Sequence, residues 1–513
     1  MQYDYKSVWG GYAYDNENRF ATDEELESSF TQVSLSSKAP LYASGIPLRV
    51  KGGRCVVNNE TLHTIVFGES GCKKTRSLVL PALSTMIMAR ESIFVTDVKG
   101  EISSNPVIQE LLEKNGYKSV CLDFRTFHGD GYDVLEYPFG LYKSGAKEEA
   151  LAFVSQFVSD LRSSYGGSPK DPYWDSSAEQ LLNALIHMLF EIATENRGFE
   201  GIVNLMSVAS FANGNALEEL QDTVNRYLST CTDGSALMLK NIVNLPNTTR
   251  ACVGSSTSAL LKDYIRQKSL TKMLSVSTFD VTKMYEEPTC VFLVIPDETT
   301  SYDHIAGLLL DSFYNRLIKQ FSETYQNRSN PPCRINYVVD EFCNVHISDM
   351  SGKISASRSR DMRWYLFCQS KAQLDRAYEQ ESATIIGNCK NIVFLQSSDP
   401  AMLDYISNLC GKTYVTESSS PVPLISADRL RGLKQSRDFK EGIFIRGSFK
   451  YHMMLPDFER YSFRGVMGLR AVPQPDRVGK VHLRCYTPHE LIGNLDNKEI
   501  QVPFRAFRRR RAS

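Results

Sequence analysis

Short runs of consecutive apolar residues, each closed by a polar or glycine-bearing turn, occupy both ends of the chain, and helical spacing fills the middle. Thr64-Ile65-Val66-Phe67, Ser92-Ile93-Phe94-Val95 and Ser119-Val120-Cys121-Leu122 are too short and too uniformly apolar for amphipathic helices. They predict strands buried on both faces, a βαβαβ reading of residues 62–124 and a parallel sheet. Near residue 150 the pattern changes. Asp171-Pro172-Tyr173-Trp174 puts an Asp at the N-cap and a Pro at the first helical position, and Leu181, Leu182, Leu185, Leu189 and Phe190 follow at helical spacing. The helical pattern continues through 217–227 and 258–264 to about residue 277. Apolar runs return at 289–296, with an amphipathic helix from about residue 304 to 321, and then at 335–342, 364–369, 391–395 and 442–446. This predicts a sheet of about seven to nine strands. Residues 1 to about 40 are polar and Ser-rich without a sustained period, and are expected to form an arm that orders only against another body.

Composition narrows the class without naming a chemistry. A 513-residue chain that is 42% hydrophobic and 23% charged has enough apolar mass for two or three cores. Its formal net charge of -1 gives no global pull toward nucleic acid or an anionic surface, so such contacts must come from local patches. Arg505 and the Arg508, Arg509, Arg510, Arg511 cluster form one such patch, with a solvated tail as the plain alternative. The 12 cysteines include no C-x-x-C pair and sit in apolar runs such as Phe367-Cys368, as buried thiols of a reducing compartment would. No apolar run is long enough to cross a bilayer and the first residues lack a signal-peptide core, so a soluble, cytoplasmic protein is expected.

The candidate chemistry begins at Gly68-Glu69-Ser70-Gly71-Cys72-Lys73-Lys74-Thr75-Arg76, between the first strand and an apolar segment from Leu78. Such a turn lets backbone N–H groups and a helix N-terminus converge on a phosphate, while a Lys neutralises charge and a Thr hydroxyl meets Mg²⁺. Gly68, Lys74 and Thr75 fill the first, seventh and eighth positions of G-x-x-x-x-G-K-[ST], and Lys73 stands where that pattern has its second Gly. A polar turn with two solvated lysines is the alternative. Far downstream, Val338-Val339-Asp340-Glu341 delivers two acids to a strand end, Asp340 suited to Mg²⁺ and Glu341 to deprotonating a water. Asp97 and Lys99 close a strand of the same form and are expected beside the loop. Gln369 ends another strand, placed to sense a γ-phosphate. Arg358, Arg360 and Arg363 precede that strand, either as solvated cations or as the source of an arginine finger. His63, alone beside a strand, reads as structural.

Assembled in order, these segments resemble the type IV secretion coupling proteins, the TraG/TraD-like ATPases of conjugative DNA transfer, over residues 45–461. The marks are the 68–76 loop with Pro81, Thr96-Asp97-Val98-Lys99-Gly100-Glu101, Asp171-Pro172-Tyr173-Trp174, Val339-Asp340-Glu341-Phe342, Arg358-Ser359-Arg360, Gln369-Ser370-Lys371-Ala372-Gln373-Leu374 and Ile406-Ser407-Asn408-Leu409-Cys410-Gly411-Lys412. The resemblance implies an α/β fold, a RecA-like P-loop NTPase core with a mainly parallel twisted sheet and an inserted all-α domain. The implied division is an arm at 1–44, a nucleotide-binding domain at 45–149 and 278–490, the all-α domain at 150–277 and a basic tail at 491–513. It further implies ATP and Mg²⁺ as cofactors and a homo-hexamer with nucleotide at subunit boundaries. The implied partners are single-stranded DNA with an attached relaxase and the type IV secretion channel components.

Carried over by position, residues 68–76 would bind nucleotide, Thr75 and Asp340 would hold the metal, and Lys74, Glu341, Gln369 and a neighbour's Arg358 would be catalytic. Two departures stand out. Typical members of the family begin with a membrane-spanning anchor and this sequence shows none, so membrane attachment, at the inner face, is expected from a partner, from the basic tail, or not at all. Lys73 replaces the loop glycine, which leaves ATP turnover open and allows an ATPase-impaired adaptor that docks cargo; because fold does not fix function, a related cytoplasmic DNA translocase is a further alternative.

Overall fold

The computed structural model describes residues 18–164, 172–195, 199–212, 216–221, 234–326, 330–413, 420–463, 465–468, 475–480 and 490. Strands β1 (Thr31–Ser34), β2 (Pro47–Lys51) and β3 (Arg54–Val57) form a small antiparallel sheet in the order β1-β3-β2. The central sheet is built from β4 (Thr64–Gly68), β5 (Ser92–Val98), β6 (Lys118–Asp123), β7 (Thr289–Ile295), β8 (Ile335–Val339), β9 (Met362–Cys368) and β10 (Asn391–Gln396). A short ladder of β11 (Lys412–Thr413) and β12 (Val422–Pro423) precedes the edge hairpin of β13 (Phe439–Arg446) and β14 (Phe449–Pro456). The nine central strands run in the order β14-β13-β10-β4-β9-β8-β5-β7-β6. Strands β4 to β10 are mutually parallel and only the β13–β14 edge is antiparallel.

This is the mainly parallel α/β sheet expected, with one refinement. The strands of residues 62–124 are parallel but none touches another: β9 and β8 separate β4 from β5, and β7 separates β5 from β6. Their apolar runs are continuous because both faces are covered. Side chains alternate between two cores: Ile65, Phe67, Val291, Leu293 and Trp364 face one, while Val66, Ile93, Val95, Phe292 and Tyr365 face the other. On the first face, Phe94, Tyr337 and Trp364 stack across β5, β8 and β9, with centroids 4.8 and 4.0 Å apart, and Phe313 of the helix Asp303–Thr324 stacks on Phe94 at 5.0 Å. Each such pair adds about 0.5–1.5 kcal/mol beyond the area it buries. The second face carries the wholly buried helix Leu80–Met88, whose only polar side chains, Ser84 and Thr85, donate to the carbonyls of Leu80, and of Gly45 and Ala82.

Between β6 and β7 the chain is helical, with Glu136–Ser144, Lys147–Ser164, Pro172–Glu195, Leu205–Phe211, Gly234–Val243, Asn247–Ile265 and Lys268–Met273. The capping residue expected at Asp171 lies outside the described residues, as do the 491–513 tail and residues 1–17. From Asn18 onward the expected N-terminal arm is folded. The helix Asp23–Ser29 opens with a reciprocal cap between Thr22 and Glu25, and β1 pairs with β3 along its length. Leu26, Val33 and Leu35 are buried, and the Tyr451 hydroxyl donates to Asp23 at 2.8 Å. Elements this short never complete enough turns to leave a period in the sequence. Among the described residues ten free cysteines occur, eight of them buried, and no helix is long and apolar enough to cross a membrane.

Candidate nucleotide-binding site

The carboxyl ends of β4, β8 and β5 open onto one cleft of about 290 Å³, lined by the 69–71 and 73–76 turn, Asp97, Lys99, Asp340 and Glu341. Ligand sites of open parallel sheets form at this edge. At its centre the loop leaves β4 at Gly68, where a Cβ would lie 2.6 Å from the buried Cys72 sulfur, so only glycine fits. Gly71 turns with φ +80 and, with Ser70, forms the exposed crest. Burial pushes the Cys72 thiol up and keeps it protonated.

Lys73, at the position where the loop pattern has glycine, adopts φ +66. A left-handed residue with a Cβ costs about 1–2 kcal/mol. Its ammonium donates to the carbonyls of Ser436 and Arg437 at 2.8 and 3.0 Å and to Asp457 Oδ2 at 3.0 Å. The side chain is therefore accommodated beside the loop, with the backbone in the left-handed region that glycine enters most readily. The helix then begins with a wide turn, Thr75–Val79, in which Leu80 N–H reaches the Thr75 carbonyl. Pro81 accounts for that turn, since it has no N–H for the Ser77 carbonyl and its ring crowds the preceding turn.

Lys74 is buried, and its ammonium donates to the Gly68 carbonyl at 2.6 Å with Glu341 Oε1 3.9 Å away. The Thr75 hydroxyl donates to Asp340 Oδ2 at 3.3 Å. Asp340 is fixed from β5, whose Thr96 hydroxyl donates to its carbonyl at 2.9 Å. Burial and the adjacent Glu341 charge push the Asp340 carboxyl up to about 6, against the pull of Lys74. Glu341 itself is left-handed, φ +51, with its N–H on Asp340 Oδ1 at 3.1 Å. This places its carboxylate against Gln369, whose Nε2 donates to Oε2 at 2.9 Å. Such strain in a non-glycine residue at a strand end is characteristic of functional sites. Glu69 accepts the backbone N–H and hydroxyl of Ser398, both at 3.0 Å, and Arg76 reaches Asp457 and Glu459.

Asp97 and Lys99 adjoin this cleft in different ways. The Asp97 carboxylate accepts the N–H groups of Ile102 at 3.0 Å and Ser103 at 2.7 Å, holding the turn in which Lys99 is left-handed (φ +104). Lys99 is exposed, 4.0 Å from Asp297. Of the three arginines before β9, Arg363 is fully buried and pairs with Glu91, and Arg360 Nη1 donates to the Ala356 carbonyl at 2.8 Å. Arg358 lies at the amino end of β9, whereas Gln369 follows its carboxyl end. A seven-residue strand spans about 20 Å, so Arg358 cannot reach the cleft of its own subunit. His63 is buried, accepts the Trp364 N–H at 3.1 Å, and is pushed down to about 4 by burial, a neutral structural group.

Thr75, Asp340 and Glu341 offer hard oxygen atoms of the kind Mg²⁺ takes from one hydroxyl and one or two carboxylates, leaving its other positions to phosphate and water. Lys74 and the loop N–H groups supply the complementary charge for a phosphate chain. The donor set fits a magnesium nucleotide. Sequence reasoning missed Asp457, Ser398 and Gln435, which brace the loop from the far end of the chain; only the Lys73 anomaly hinted that such a brace was needed.

The fold is an α/β, RecA-like P-loop NTPase core, with this cleft at the carboxyl edge of its sheet. The chain belongs to the type IV secretory system conjugative DNA transfer family, whose profile matches residues 19–441. It is 24% identical to the conjugal transfer protein TraG of Rhizobium radiobacter over 69% of this chain and 53% of that one. It is 23% identical to TraG of Agrobacterium fabrum over 69% and 51%. The chain thus spans about half the length of the curated relatives it matches. Among solved structures, the bacterial conjugative coupling protein TrwB with its first 70 residues removed, in a sulphate complex, superposes with a TM-score of 0.61 at 14% identity, covering 87% of this chain and 95% of that one. TrwB in complex with ADP and Mg²⁺ gives 0.60 at 13% identity, covering 88% and 95%.

Proposed function

We propose that this chain is the coupling ATPase of a conjugative transfer system, binding ATP with Mg²⁺ and hydrolysing it to drive single-stranded DNA and its attached relaxase into the secretion channel. The observation that carries the reading is the meeting of Thr75 and Asp340 at 3.3 Å with Lys74 and Glu341 beside them. Lys74 neutralises the phosphate chain, and Thr75 and Asp340 hold the metal, which when bound spreads the charge that develops on the transferred phosphoryl oxygens. Glu341 takes the proton of the attacking water, and Gln369 orients that carboxylate. Arg358, remote from its own cleft, acts on the nucleotide of a neighbouring subunit, as a homo-hexamer with nucleotide at its boundaries would allow. TrwB, whose solved complexes include ADP with Mg²⁺ and a non-hydrolysable ATP analogue, lends support from the same fold.

The adaptor reading rested on a loop impaired by Lys73. With that side chain seated on Asp457, no observation favours the adaptor over the motor. ATP hydrolysis that is stimulated by single-stranded DNA and abolished by Glu341→Gln is the expected result. A complete lack of nucleotide binding in calorimetry would overturn the reading.

A further inference from the structure

The phosphate loop is gripped from one side by the segments flanking β13 and β14. Gln435 Nε2 donates to the Gly71 carbonyl at 3.2 Å, and Ser436 and Arg437 supply the carbonyls that receive the Lys73 ammonium. Asp457, immediately after β14, collects the remaining charge. Its Oδ2 accepts Lys73 Nζ at 3.0 Å and Arg76 Nε at 3.1 Å, and its Oδ1 accepts Arg76 Nη2 at 2.6 Å and the Glu459 N–H at 3.3 Å. Its own N–H is fixed on the Asp438 carbonyl at 2.8 Å.

Exposed ion pairs are worth little because water screens them and long side chains must be immobilised. Asp457 is in a different situation, only 3% exposed and satisfied by several donors. The two cations it holds are the residues on either side of Lys74-Thr75, so one carboxylate fixes the backbone before and after the pair that meets phosphate and metal. Burial works against its charge, but Arg76 and Lys73 hold the carboxyl down at about 2, fully ionised at neutral pH.

We propose that Asp457 is a positioning residue for phosphate binding, which substitutes for the missing loop glycine by holding Lys73 in the left-handed conformation that presents Lys74 and Thr75 to the nucleotide. The edge hairpin β13–β14 thereby becomes part of the nucleotide site, although it is the portion of the sheet furthest from Asp340 in strand order. The inference rests on the nucleotide reading above and specifies how this particular loop achieves it. It also accounts for the pairing of a lysine where a glycine is usual with a buried acid just beyond an edge strand, each costly alone.

The test uses the full chain, with binding of fluorescent ADP in Mg²⁺ and the KM and kcat for ATP as readouts. Asp457→Asn is expected to weaken ADP binding at least tenfold and to raise KM more than it lowers kcat. In a Lys73→Gly background the same substitution should cost at least threefold less. Lys73→Ala, which keeps a Cβ but loses the anchor, should bind ADP at least fivefold more weakly than Lys73→Gly, and this pair keeps the idea testable if Asp457→Asn fails to fold. An equal effect of Asp457→Asn with and without Lys73→Gly, or equal binding by the Ala and Gly variants, overturns the role of Asp457 while leaving the nucleotide reading intact. Absence of ADP and ATP binding by the unaltered chain overturns both.

Discussion

The Thr75 hydroxyl donates to Asp340 Oδ2 at 3.3 Å across 265 positions of sequence. The two residues follow strands that are not neighbours, since β9 runs between β4 and β8. Their meeting brings segments before and after the helical stretch into one cleft.

Removing Lys74 and removing the charge of Glu341 should have separable effects. Lys74→Ala is expected to abolish detectable ATP binding by titration calorimetry. Glu341→Gln should bind ATP within a few-fold of the unaltered chain yet hydrolyse it about 10²–10⁴ times more slowly in a phosphate-release assay, the range set by loss of a general base.

Gln369 touches Glu341 directly, so its substitutions report on the proposed base. Gln369→Glu sets two carboxylates against each other and should depress turnover at neutral pH more than Gln369→Ala does. A pH–rate profile of kcat displaced upward for the Glu variant alone would mark the like-charge contact.

A finger that works across subunits has a signature in mixtures. Neither Arg358→Ala nor Lys74→Ala should turn over ATP alone, but an equal mixture should recover a measurable fraction of activity. Some boundaries will then pair an intact cleft with an intact Arg358. A finger acting within its own subunit would give no recovery.

Asp133 gives a pH dependence that is independent of catalysis. It is buried at the start of the helical segment, where its Oδ1 accepts the Leu135 N–H at 2.9 Å, and burial together with Glu136 pushes its carboxyl up to about 7. The folded chain keeps a proton that the unfolded chain releases near pH 4, so this residue's contribution to stability falls as pH rises from about 4 to about 7 and is flat above. Asp133→Asn should raise stability at pH 8 by up to about 3 kcal/mol, read by denaturant unfolding, and flatten that part of the profile.

Much of the site was legible because its chemistry is local. Glycine, lysine and threonine after a strand, or two acids at the end of another, carry their meaning within a few residues, and a two-sided parallel sheet writes its strands as unbroken apolar runs. The expectation for the arm failed from Asn18 onward because its helix and strand are seven and four residues long. The brace on the loop was illegible for another reason. Asp457 lies 384 residues from Lys73, and an aspartate after an edge strand resembles any surface turn until the fold brings a lysine to it. Of three equivalent-looking arginines, only burial removed Arg363, through its pairing with Glu91.

Strand β9 has a consequence for any assembly of this chain. Its seven buried residues begin after the short turn that holds Arg358 and end just before Gln369, tied on both sides into neighbouring parallel strands. Under the proposed function, the arginine that serves a neighbour and the glutamine at the home cleft thus flank opposite ends of a single stiff rod. A closed ring of these subunits, under that same proposed function, would yoke each nucleotide seat to the next through this strand, with no hinge needed to relay the signal.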